Sequence, residues 1–175
     1  METENTSPGK VGLNYGIILG LIIVVIQVIM YVTGMALEGV QWPIYIYYVI
    51  FAALIFAAIN AFKKSNNGYL SMSQALKTGV AAAVISGLIF LVYSILLVYV
   101  IEPGYSEQVI DATRDKLAET GNMTDEQIEM TLEWVEYGTN PFIGGAIWIG
   151  LSALMGLIYS LIGGAIMKNK NPYEA

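Results

Sequence analysis

Residues 11–37 read VGLNYGIILGLIIVVIQVIMYVTGMAL, 27 positions without a single Asp, Glu, Lys or Arg. A helix crossing a bilayer needs about 20 predominantly apolar residues. This stretch is long enough to cross, and it is far longer than the apolar core of a cleaved signal peptide, about 7–15 residues. Its start, METENTSPGK, carries two Glu against one Lys, so the stretch is expected to be a retained first span.

Three further charge-free blocks follow, at 39–62, 78–101 and 137–167. The four blocks together hold 106 of the 175 residues, and all 22 charges fall outside them. Overall, 56% of residues are hydrophobic and 13% charged, against about 25% charged in a soluble domain. The expected fold is a single all-α membrane domain, 1–175, with four transmembrane helices at 13–35, 43–62, 75–101 and 142–167. Pro43 suits the first turn of the second span, and Ser73 is the expected cap of the third.

Between the third and fourth spans lies a polar, acidic insert, 102–141, expected to fold as an amphipathic helical hairpin. Ser106 is placed to open its first helix and Gly121 to close it. Thr124 and Gln127 form a T-x-x-Q capping box for the second. Val109, Thr113 and Leu117 share one face of the first helix; Ile128, Leu132 and Val135 share one face of the second. The opposite faces are read as acidic, with Asp111, Asp115, Glu119, Glu129 and Glu133 the expected partner contacts.

Basic residues set the expected orientation. Lys10, Lys63, Lys64, Lys77, Lys168 and Lys170 belong to the N-terminus, the middle loop and the C-terminus, whereas Arg114 and Lys116 alone lie in the hairpin. Six against two places both termini in the cytoplasm. The net charge of −6 then divides into +3 inside and −9 outside. Trp42, Tyr45, Tyr47, Tyr48, Tyr99, Tyr105, Trp134, Tyr137 and Phe142 gather at the expected outer boundary, and Tyr15, Phe62 and Tyr69 at the inner one, the depth amphipathic rings prefer.

Within the spans, small residues recur four apart: Gly12, Gly16 and Gly20; Ala53, Ala57 and Ala61; Gly79, Ala83 and Gly87; Ser152, Gly156, Ser160 and Gly164. Such rows let helix backbones approach closely. Gln27 falls on the glycine face of the first span and Asn60 beside the alanine face of the second. Both are expected at helix interfaces, and Gln27 is also a candidate for lining a polar path.

The sequence contains no His and no Cys, which removes disulfides, zinc sites with those ligands and Ser–His–Asp or Cys–His catalysis. No phosphate-cradling glycine loop is present. With no ionisable residue inside the charge-free blocks, a proton-coupled carrier is disfavoured. No cofactor, metal or nucleic acid is expected. An enzyme would have to work with Glu102 and Glu136 or with interfacial Tyr and Ser. The favoured reading is a membrane-embedded structural or regulatory interaction protein, and the alternative is a passive channel or transporter subunit formed by oligomerisation. The expected partners are the lipid bilayer, a protein at the hairpin and a second copy through the small-residue faces. Asn5-Thr6-Ser7 and Asn122-Met123-Thr124 match a glycosylation acceptor that matters only in a eukaryotic secretory pathway.

The layout resembles a group of small bacterial membrane proteins, common in Bacteroidetes, that form domain-of-unknown-function family 4199. The residues that carry the resemblance are Tyr15-Gly16, the basic exit Lys63-Lys64, Gly68-x-Leu70-Ser71, Gln74-Ala75, Lys77-Thr78-Gly79, Ile101-Glu102-Pro103 and a glycine-rich last span ending in Met167-Lys168. The resemblance implies a four-span inner-membrane protein and assigns no activity and no functional residue.

Overall fold

The computed structural model describes residues 7–169. The expectations that rest on Glu2, Glu4, Asn5, Thr6, Lys170 and Glu174 lie outside the described residues. Six helices follow in order: α1 Pro8–Val32, α2 Trp42–Ser65, α3 Met72–Leu96 continued by a π-turn Leu97–Ile101, α4 Tyr105–Thr120, α5 Asp125–Thr139 and α6 Pro141–Met167.

Local chemistry sets each boundary. Ser7 caps α1 by accepting from the Lys10 amide at 3.2 Å, with Pro8 in the first turn. The helix stops where Gly34 takes the left-handed conformation at φ 75°, so the first span begins and ends earlier than 13–35, and Met35 lies in the turn beyond it. The second span also extends past its expected limits at both ends, and Lys63 and Lys64 sit in its last turn, where cations favour the helix dipole.

The cap of α3 is Ser71, not Ser73. The Gln74 amide donates to Ser71 Oγ at 3.2 Å and the Ser71 amide to Gln74 Oε1 at 2.8 Å, a reciprocal box that satisfies two otherwise orphaned donors. Ser106 likewise does not open α4, which begins one residue earlier; its hydroxyl donates to the Thr139 carbonyl at 3.4 Å and joins the two ends of the hairpin. The Thr124/Gln127 box forms as expected. Asn140 caps α6 through the Phe142 and Ile143 amides at 3.0 and 3.2 Å.

The four long helices form one bundle with α3 between α1 and α6, while α2 packs on all three. The small residues set this order. Gly12 faces Thr78 and Ala81, Gly16 faces Ala82 and Ile85, and Gly20 faces Ile89, so α1 and α3 advance together as a parallel pair. On the other side of α3 the register runs backwards: Gly164 meets Met72 and Ala75, Ser160 meets Gly79, Gly156 meets Ala83, and Gly145 meets Leu91. A Cβ added at Gly16 would lie 2.7 Å from the Ala82 carbonyl and at Gly20 2.7 Å from Ile89 Cβ, closer than atoms pack. The small rows of α1, α3 and α6 are therefore occupied within the chain.

The second helix packs differently. Its buried residues are Pro43, Tyr47, Phe51, Ile55, Ala58, Ile59 and Phe62. Ala53 and Asn60 are exposed and Ala57 is half-buried. The expectation that Asn60 lies at a helix interface is corrected: the bulky face turns inward, filling the space that the closely packed α1, α3 and α6 leave, and the Asn60 amide looks outward near the Lys63-Lys64 end.

Polar groups inside the spans are mostly satisfied by their own helix. Ser86 donates to Ala83 O at 2.8 Å, Ser160 to Gly156 O at 2.5 Å and Thr78 to Gln74 O at 2.9 Å, as a medium without water requires. Among the described residues, the buried side-chain polar atoms without a partner are the Tyr47 hydroxyl and the Trp148 indole nitrogen. Ser86 lies beside the Tyr47 hydroxyl, but its own proton goes to Ala83. Around the bundle the outward side chains are also apolar, among them Leu21, Val25, Val49, Val92 and Ile166. A surface this apolar on four helices, each long enough to cross, belongs in hydrocarbon. The protein is a multi-pass membrane protein. At the end of the bundle opposite the hairpin, Leu70 and Asn169 exchange backbone hydrogen bonds at 2.8 and 2.9 Å, tying the middle loop to the exit of α6.

Candidate functional site: the hairpin and the cavity beneath it

The hairpin is fastened to the bundle at several points. Tyr31, in the last turn of α1, donates to Glu102 Oε2 at 3.2 Å, and Gln108 on α4 donates to Glu102 Oε1 at 3.2 Å. The rings of Tyr31 and Tyr105 meet edge to face, 5.8 Å between centroids. Lys116 Nζ reaches the Glu38 carbonyl in the α1–α2 turn. At the far corner, Gly144 lets the Gly138 carbonyl approach closer than a side chain would permit. Ile128 and Leu132 are buried, while Val109, Thr113, Leu117 and Val135 are half-buried, so the two expected apolar faces do pack.

Between α4 and α5, Arg114 pairs with Glu129. Hydrogen bonding to that carboxylate, then its charge, raises the guanidinium pKa further above its ordinary value. The pair is solvent-exposed, so it orients the hairpin more than it stabilises it. Tyr105 is pushed above the ordinary phenol range by burial and, secondarily, by the neighbouring Tyr31.

Below the hairpin is a cavity of about 190 Å³. Gln27 from α1, Phe90, Tyr93 and Ser94 from α3, Tyr105 from α4 and Thr139 from α5 contribute to its walls, with Leu97 and Val98 of the π-turn beside them. π-turns inside α-helices recur at functional sites; here the turn widens α3 where it meets the hairpin. Gln27 thus lines a cavity at the hairpin end of the bundle.

The remaining expected site residues divide cleanly. Gly12, Gly16, Gly20, Gly79, Gly87, Ser152, Gly156, Ser160 and Gly164 are all buried in the bundle. Asp111, Asp115, Glu119, Glu129 and Glu133 are all exposed, and Glu129 is engaged by Arg114. On α5, however, the side directly opposite Ile128, Leu132 and Val135 is not acidic. It carries Met130, Trp134 and Tyr137, which are 58%, 71% and 51% exposed, with the carboxylates along one flank. The four-and-three spacing of those residues signals this face in the sequence. Tyr31 and Tyr93 carry no site signal in the sequence, since only the fold brings them beside Tyr105.

Among the described residues, no group of three or more His, Cys, Asp or Glu is arranged to hold a metal ion. No curated protein and no solved structure matches the chain. Over residues 14–169 the sequence matches the family described as Protein of unknown function (DUF4199), and the chain belongs to that family.

Proposed function

We propose that the protein is a non-enzymatic interaction protein of the bacterial inner membrane, with both termini in the cytoplasm and the hairpin outside. Its partner is a polypeptide segment that is basic and bears apolar side chains, docked along the outer face of α5. The observation that carries this reading is the exposed Met130, Trp134 and Tyr137 stripe beside the carboxylates of Glu126, Glu129 and Glu133. Exposed aromatic side chains in a row are energetically effective at interfaces, and the flanking charge selects a partner of opposite sign. An anionic lipid surface or a second copy of this hairpin would meet like charge there.

The orientation rests on the six-to-two division of basic residues, and the non-enzymatic reading on the absence of His and Cys. The channel alternative, a pore formed between copies, has no specific observation in its favour; within one copy Leu19, Ile23, Ile55, Ile59, Ala82 and Ala83 form the core.

The test is photocrosslinking in cells from a reactive residue placed at Met130 or Trp134, with Leu154 on the lipid-facing side of α6 as the reference. A discrete adduct from α5 alone, to a protein whose crosslinked segment is basic and extracytoplasmic, is the expected result. Adducts identical to those from Leu154, or adducts only to lipid, would sink the proposal.

A further inference from the structure

We propose that the cavity beneath the hairpin is a binding site for a small organic cation, an alkylammonium group. Tyr93 is 9% exposed, lines this cavity and makes no hydrogen bond through its hydroxyl. Among the described residues, the buried polar atoms without a partner are the Tyr47 hydroxyl and the Trp148 indole nitrogen, so the Tyr93 hydroxyl is open to the cavity and within reach of a ligand there. Gln27 and Ser94 line the same space, and their side chains are likewise without a hydrogen-bond partner among the described residues.

The chemistry of the walls selects the ligand. Phe90, Tyr93 and Tyr105 supply aromatic rings, and Gln27, Tyr93, Ser94, Tyr105 and Thr139 supply side-chain oxygens; no Lys or Arg lines the cavity. Aromatic faces with oxygen acceptors and no competing cation favour an ammonium or quaternary ammonium group. The carboxylate of Glu102 is one side chain away, bonded to Tyr31, whose ring abuts Tyr105. Above the cavity stands an insert in which ten acidic residues, Glu102 to Glu136, face Arg114 and Lys116. That field concentrates cations at the mouth and repels anions. A volume of about 190 Å³ accommodates a group of choline size and not a folded segment or a lipid chain.

The proposal does not depend on the protein partner of α5. Its test is equilibrium binding of radiolabelled choline to the full chain in nanodiscs of neutral phospholipid, with choline's uncharged carbon isostere, tert-butyl in place of trimethylammonium, as competitor. Saturable binding that unlabelled choline displaces and the isostere does not is expected. Gln27→Leu and Tyr93→Phe are each expected to weaken it about fivefold or more, with unchanged helical circular dichroism. Three results would overturn the proposal: no saturable binding, equal displacement by the isostere, or binding that ignores both cavity variants and vanishes when Asp111, Asp115 and Glu119 are replaced by Asn or Gln. The last would place the cation on the hairpin surface.

Discussion

The Tyr31 hydroxyl donates to the Glu102 carboxylate across 71 residues of sequence, joining the last turn of α1 to the exit of α3 where the hairpin begins. The same carboxylate accepts from Gln108, so one acidic side chain holds two spans and the hairpin in register. Replacing Tyr31 by Phe removes the donor and keeps the ring that meets Tyr105. Amide hydrogen exchange over 102–109 is expected to speed several-fold while α2 and α6 stay protected. Unchanged exchange would mean that the hairpin is held by its apolar face alone.

Gly79 is the tightest point between α3 and α6, because a side chain there would occupy the position of the Ser160 hydroxyl. Gly79→Val should therefore destabilise the bundle by about 1–3 kcal/mol or more, read from the denaturation midpoint in mixed micelles. Gly150 on the exposed side of α6 has open space around it, so Gly150→Ala should be neutral or stabilising by up to about 1 kcal/mol. Equal effects at the two sites would refute the close approach of α3 and α6.

Tyr47→Phe tests the unpaired hydroxyl in the bundle. A buried donor without a partner is a cost, and removing it while keeping the ring leaves packing on Phe51 and Trp148 intact. The variant should be as stable as the parent or more so, by up to about 1 kcal/mol. A loss of more than that would show that the hydroxyl has a partner in the membrane-embedded protein.

Tyr105 gives the hairpin a pH dependence at the alkaline end. Its pKa is raised in the folded protein by burial and by Tyr31, so the folded state holds the phenolic proton more tightly than the unfolded state does. Its contribution to stability is complete below the ordinary value of about 10 and is lost as pH rises through that value and beyond. The difference in tyrosinate ultraviolet absorbance between the parent and Tyr105→Phe should titrate above pH 10, and α4 should lose protection over the same range. A difference titrating at or below the ordinary value would contradict the burial.

The four spans were legible in the sequence because exclusion of charge from long blocks has one physical reading. The Thr124/Gln127 box was legible because a cap is local. The Ser71/Gln74 box is equally local: Gln stands three residues after Ser71, whereas Leu stands three after Ser73. The rotation of α2 was harder. Lipid and protein interior are alike in polarity, so hydrophobicity cannot say which side of an apolar helix faces which, and the alanine row pointed the wrong way. The cavity was illegible because Gln27, Tyr93, Tyr105 and Thr139 come from four helices. The exposed α5 stripe, by contrast, is written in the spacing of Met130, Trp134 and Tyr137, beneath the more conspicuous acidic residues.

The hairpin packs down on one face of α5 and is free on the other, and the proposed orientation puts it outside the cell membrane. The chain has no cysteine, so single cysteines report without background. Cysteine placed at Met130, Trp134 or Tyr137, and in turn at Ile128 or Leu132, can be challenged in cells with a membrane-impermeant maleimide after the outer envelope is made permeable. Rapid labelling at the first three positions and protection at the other two is the predicted result. Equal labelling of both sets would contradict the docked hairpin, and labelling only after the inner membrane is broken would reverse the orientation.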